Sequence, residues 1–98
     1  MKVIRLTVEF RDWMRGLRDG VAKAKIASRL ERLADGNSGD VKPIGGGLSE
    51  LRIPHGPGYR VYFVTRGRMI IVVLCGGDKG TQQRDIRRAR EIAKGLGD

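Results

Sequence analysis

Residues 69 to 75, Met-Ile-Ile-Val-Val-Leu-Cys, are apolar at every position, and few backbones accept such a run. An amphipathic helix or a half-exposed strand would interleave polar residues with a period of 3.6 or 2, and neither period is present. Bounded by Arg66-Gly67-Arg68 and by Gly76-Gly77-Asp78-Lys79, the run reads as a central strand covered on both faces. The rest of the chain then has to supply neighbouring strands and two covering layers.

The neighbours lie immediately upstream. Leu48, Glu50 and Arg52 alternate with Ser49, Leu51 and Ile53, and the turn Pro54-His55-Gly56-Pro57-Gly58 reverses the chain into the strand pattern from Tyr59 to Val64. Thr65-Arg66-Gly67-Arg68 reverses it again into the apolar run, which completes an antiparallel meander. Residues 41–47 are expected to form a stiff approach at Pro43 and a flexible connection at Gly45-Gly46-Gly47, with no strand.

The covering layers are helical. Phe10, Trp13, Met14 and Leu17 fall at i, i+3, i+4 and i+7, and after a break at Gly20 the set Ala22, Ile26, Leu30 and Leu33 forms a second seam that ends at Gly36-Asn37-Ser38-Gly39. Met1 to Val8 alternates as a first strand, and Gln82 to Lys94 forms a last, arginine-rich helix with Ile86, Ala89 and Ile92 or Ala93 inward. The expected fold class is α+β in the order β-α-α-β-β-β-α, a mostly antiparallel sheet with an N-terminal helical hairpin and a C-terminal helix. At 98 residues the chain is one domain, 1–98.

Charge limits the partners. Lys and Arg number 20 against 11 Asp and Glu, a formal net charge of +9, which points to a polyanion: nucleic acid first, an acidic protein second. Aromatic residues make up 5% of the chain, too few for an extended base-stacking platform, so RNA contact is expected to rest on phosphate. The single cysteine, Cys75, lies within the apolar run and reads as a buried core residue in a reducing compartment. Neither a signal peptide nor an apolar stretch near the roughly 20 residues of a membrane span is present, so a cytoplasmic location without membrane is expected. No metal-ligand spacing, phosphate-binding Lys-Ser/Thr loop or Ser/His/Asp arrangement occurs, and no metal or cofactor is expected.

Candidate chemistry centres on the hairpin. Pairing Ile53 with Tyr59 sets Arg52 opposite Arg60 on one face, where two like charges need an anion or an acid between them. Phosphate is the functional neutraliser, Glu50 or Asp78 the structural one. Lys79 follows the apolar strand at the start of the last helix, whose first N–H groups also favour an anion. Asp78 beside it would pair with Lys79 or orient Arg60. His55 and Tyr62 are candidates for proton transfer, and Tyr62 for stacking on a base. The helical series Arg15, Arg18, Lys23, Lys25, Arg29 and Arg84, Arg87, Arg88, Arg90, Lys94 reads as solvated surface that would hold a polyanion without sequence preference.

The chain also resembles a known family. Phe10-Arg11-Asp12-Trp13, Leu17-Arg18-Asp19, Gly36-Asn37-Ser38-Gly39-Asp40, Leu48 to Ile53, Gly56 to Phe63 and Gly76-Gly77-Asp78-Lys79, in this order, are similar to the RelE/ParE superfamily of type II toxins, in its HigB-like addiction-module killer branch. The resemblance covers nearly the whole chain. It implies a toxin of a toxin–antitoxin module, a ribosome-dependent endoribonuclease (mRNA interferase) that causes growth arrest. Its partners would be mRNA on the ribosome and a cognate antitoxin, the latter in a hetero-oligomer. Carried over, it implicates Arg52, Arg60 and Lys79 in phosphate stabilisation, with His55, Tyr62 and Asp78 as substitutes for the proton-transfer group; the expected RNA contacts are Arg52, Arg60, Tyr62, Lys79 and Arg84. Where related nucleases carry a titratable residue near the last helix, this chain reads Gly80-Thr81-Gln82-Gln83. A ParE-like toxin that inhibits DNA gyrase by binding alone is the alternative.

Overall fold

The computed structural model describes residues 1–96. Its elements are β1 (Val3–Leu6), α1 (Val8–Gly16), α2 (Gly20–Ala34), β2 (Val41–Gly45), β3 (Leu48–Ile53), β4 (Tyr59–Arg66), β5 (Ile70–Asp78), one 3₁₀ turn (Lys79–Thr81) and α3 (Gln82–Gly95). The fold is α+β. Its five-stranded sheet has the order β1-β5-β4-β3-β2 and is mixed, since β1 runs parallel to β5 while the other pairs are antiparallel.

Two expectations need correction. Residues 41–45 are a strand at one edge of the sheet, which has five strands where four were expected. Pro43 is tolerated because an edge strand leaves N–H groups unpaired. The glycines that suggested flexibility instead make a tight reversal: Gly45, Gly46 and Gly47 have φ of +93°, +65° and +80°, a region glycine enters at little cost. The apolar run is also less enclosed than its composition implies. β5 is second from an edge, and Ile70 and Val72 are half-buried while Met69 is exposed.

The sheet separates two cores. α1 and α2 cover one face, where Phe10, Ile26, Leu51, Val61 and Val73 are buried. α3 covers the other, over Leu48, Tyr62, Val64, Leu74, Cys75 and Ala89. Each N-terminal helix starts on a side-chain cap. Thr7 Oγ1 accepts from the Phe10 N–H at 3.0 Å and donates to Leu74 O at 2.6 Å, which ties the start of α1 to β5. Asp19 Oδ1 accepts from the N–H groups of Val21 and Ala22 at the start of α2.

The β4–β5 register decides what reaches the α3 face. Tyr62 pairs with Cys75 but Phe63 pairs with Val73, so Leu74 is an extra residue and the ladder shifts there. A bulge of this kind exchanges the faces of every later side chain. Beyond it Cys75 and Gly77 face α3, while Gly76 faces α1. Neither glycine has room for a side chain: a Cβ on Gly76 would lie 2.4 Å from the Trp13 ring, and one on Gly77 would lie 1.8 Å from Asp85 Oδ2.

Candidate functional site

Arg52 and Arg60 are directly paired on β3 and β4, the register the turn residues imply. Strand alternation puts both on the α3 face with Glu50 and Tyr62. What lies between the two cations is an acid from β3. Glu50 is 1% exposed; its Oε1 accepts from Arg52 Nε at 3.1 Å and lies 3.0 Å from Arg60 Nε, and its Oε2 accepts from Gln82 Nε2 at 2.7 Å. The Arg60 contact is an ion pair without a formed hydrogen bond, because the Nε–H is not aimed at the oxygen and finds no other acceptor among the described residues. Arg60 Nη1 instead donates to the carbonyls of Gly58 and Tyr59 at 3.2 and 3.4 Å.

This arrangement leaves a cationic excess. Two guanidinium groups share one carboxylate, and the side chains of Arg52 and Arg60 remain 33% and 13% exposed. A buried carboxylate offsets its desolvation only when it is paired and hydrogen-bonded, as Glu50 is. Arg29 steadies the same strand from the other layer, donating from Nη1 to Arg52 O at 2.7 Å.

Lys79 stands at the rim. Its N–H donates to Gly58 O at 2.9 Å, and a Cβ built on Gly58 would lie 3.4 Å from Lys79 Cβ and 3.5 Å from Arg60 Nη1. Lys79 and Arg60 thus flank the same glycine, whose φ of +80° lies in the left-handed region that favours glycine. Lys79 is exposed, beside a shallow polar cleft at the start of α3 that Gln82, Arg84 and Arg87 also line.

The other candidates sit elsewhere or serve the scaffold. Asp78 does not orient Arg60: past the bulge it pairs with Tyr59, and its Oδ1 accepts from the Gly80 N–H at 2.8 Å, capping the 3₁₀ turn. His55 Nε2 lies 2.8 Å from Asp19 Oδ2, so its ring is directed at the α2 cap, across the sheet from the arginine pair. That bond, with the α2 backbone N–H groups, holds the Asp19 carboxyl below its usual value of 3.8. Tyr62 is fully buried under α3 and offers no face to a base, and its hydroxyl has no partner among the described residues. Burial, then the Glu50 charge, raise its pKa well above the usual 10.0, so the phenol stays protonated. Arg84 is exposed, its Nε 3.5 Å from Asp85 Oδ1. Arg29 and Arg90, expected in solvent, are internal fasteners: Arg90 donates to Ile44 O at 2.6 Å and Gly45 O at 3.1 Å, holding the β2–β3 turn against α3.

Sequence reasoning missed Gln82 and Asp85. Gln82 completes Glu50's shell, and buried Asp85 accepts from Thr81 Oγ1 at the start of α3. The available signal for Asp85 was Gly77, since an unsubstituted position in a strand marks a close approach. Among the described residues no cluster of side chains suits a metal ion, and no helix is long and apolar enough to cross a membrane.

A family model described as phage derived protein Gp49-like (DUF891) matches residues 12–95. An uncharacterized protein of Haemophilus influenzae is 46% identical over 94 residues, 96% of this chain and 95% of that protein. The Gp49-like family is associated with toxin–antitoxin modules. By the match over residues 12–95, the chain belongs to the Gp49-like family of phage-derived proteins.

Proposed function

We propose that the chain is the toxin of a type II toxin–antitoxin module, of RelE/ParE and HigB-like kind, acting as a ribosome-dependent endoribonuclease on mRNA. The observation that carries this reading is the opposed pair Arg52 and Arg60, held by one buried carboxylate and left with excess positive charge beside Lys79. Donors fixed before substrate arrives stabilise charge that develops on a phosphorane, a contribution of about 10²–10³ in rate for one such group. In this reading the forks of Arg52 and Arg60 and the Lys79 ammonium receive the scissile phosphate, and Glu50 holds the forks in place. As the 2′-oxygen bonds phosphorus and the P–O5′ bond breaks, the 2′-hydroxyl gives up a proton and the departing 5′-oxygen takes one; Glu50, the carboxylate in contact with the pair, would accept the first and return it to the second, and His55 would have to leave Asp19 to serve.

The occupied state of Glu50, the burial of Tyr62 and the Asp19 contact of His55 favour a second reading, a toxin that binds DNA gyrase without catalysis. Induction in cells separates the two. The nuclease reading expects new mRNA 5′ ends by primer extension during growth arrest, lost in Arg60→Ala and Lys79→Ala while circular dichroism stays unchanged. Arrest with intact mRNA and accumulated cleaved DNA would overturn it in favour of gyrase.

A further inference from the structure

One side chain of the cleft beside the arginine pair is oriented from within. Gln82 opens α3 and is half-buried, with Glu50 on its inner side and the polar cleft of about 500 Å³ on its outer side. A carboxylate accepts hydrogen bonds and donates none, and Glu50 already sets Oε1 against the two arginines. Its Oε2 takes the amide nitrogen of Gln82 at 2.7 Å. The amide cannot turn over without setting its own oxygen against that carboxylate, so Gln82 Oε1 is held away from Glu50. No donor among the described residues bonds to it.

The rest of the cleft offers donors. Lys79, Arg84 and Arg87 line it, and the first N–H groups of α3 open there. Each of these suits a phosphate oxygen, and none accepts a hydrogen bond. Thr81 is engaged, since its hydroxyl accepts from the Asp78 N–H and donates to Asp85. Gln83 is exposed, and no bond among the described residues fixes its amide. Gln82 Oε1 is therefore the side-chain acceptor of fixed direction in a cationic cleft. No aromatic residue lines the cleft, so a base has nothing there to stack on.

We propose that Gln82 reads the 2′-hydroxyl of a ribonucleotide next to the scissile phosphate and so selects RNA over DNA. That hydroxyl is the donor that an RNA backbone has and a DNA backbone lacks. It shares a sugar with the 3′-phosphate, so a strand gripped by Lys79, Arg84 and Arg87 brings it to Gln82 without help from the base. The inference rests on the reading that the arginine pair and Lys79 hold RNA phosphate, and it adds the sugar as the group recognised. For this contact Glu50 is a positioning residue, because it fixes which end of the amide meets the strand. The competing source of a donor is an exocyclic base amine, which cytosine has and uracil lacks.

Affinities are measured by fluorescence anisotropy on the whole chain at low salt, with single strands of about eight nucleotides. The probes are oligouridine, its 2′-deoxy and 2′-fluoro forms, and oligocytidine. Fluorine keeps the sugar pucker of RNA and donates nothing. Oligouridine is expected to bind about three- to tenfold tighter than either analogue, the effect of one hydrogen bond. Gln82→Met, which keeps the size without the acceptor, and Gln82→Lys, which keeps a donor for Glu50, should each bring that ratio to about one. Gln83→Met should leave it unchanged. The ratio is internal to each variant, so a general loss of affinity does not move it. Equal affinity of the wild-type chain for oligouridine and both analogues overturns the proposal. So does a preference that survives both Gln82 variants, or the absence of saturable binding. A preference for oligocytidine over oligouridine that depends on Gln82 and ignores the sugar assigns the contact to the base and overturns it too. Binding is read here and not cleavage: intact mRNA in arrested cells would end the nuclease reading while the ratio still stood.

Discussion

Gly77 illustrates how one residue can set a local architecture. Its φ lies outside the left-handed region, so its role is space: a Cβ would overlap the Asp85 carboxylate. Asp85 is buried and cannot swing into solvent without leaving Thr81. Gly77→Ala is therefore expected to destabilise the chain by about 1–3 kcal/mol, the usual range for overpacking, read as a lower urea midpoint; Gly80→Ala, in the exposed turn, should cost less. Cys75 beside it responds to pH. Burial, reinforced by the Asp85 carboxylate, pushes its thiol up to about 12 from 9.0. The folded chain keeps a proton that the unfolded chain sheds above pH 9.0, so this share of stability is complete below pH 9.0 and is lost as pH rises toward about 12. Tyr62 acts in the same direction from 10.0 upward. Urea midpoints should fall between neutral pH and about pH 10, and Cys75→Ala should make the fall shallower.

At the level of elements, the Thr7 hydroxyl does two jobs, capping α1 and bonding Leu74 O at the bulge. Thr7→Ala should cost about 1–2 kcal/mol by denaturant titration, and Thr7→Ser should restore most of it. The elements also explain what the sequence reveals. The helices were legible because their apolar residues repeat at a helical period, and the β3–β4 hairpin because Pro54 to Gly58 marks the reversal, although its register had to be assumed. The bulge at Leu74 was not. A strand apolar on both sides carries no parity mark, so an extra residue leaves no trace in the pattern, yet it reverses the side on which Asp78 emerges. β2 was hidden for a different reason: proline and three glycines obscure a strand that needs only an edge and a tight turn. Of the site, the arginine pair followed once Ile53 was set opposite Tyr59, the register the sheet has, whereas Gln82 required knowing where α3 begins over the sheet.

For the whole molecule, charge is the dominant property. With a formal net charge of +9 and exposed arginines along α3, binding to single-stranded RNA should fall steeply with salt, by about 300-fold or more between roughly 50 and 200 mM if six or more phosphates are contacted. Filter-binding isotherms over that range check this, and a flat salt profile would argue for a protein target. The sheet itself links the two helical layers. At Gly76 and Gly77 the Trp13 ring presses on one side of β5 and the Asp85 carboxylate on the other, with a single backbone thickness between them. Trp13 is the chain's one indole and also meets the Tyr59 ring edge-on at 6.1 Å. The molecule thus carries its own optical gauge: the emission of Trp13 reads, through the sheet, any displacement of the start of α3 where Gln82 holds Glu50.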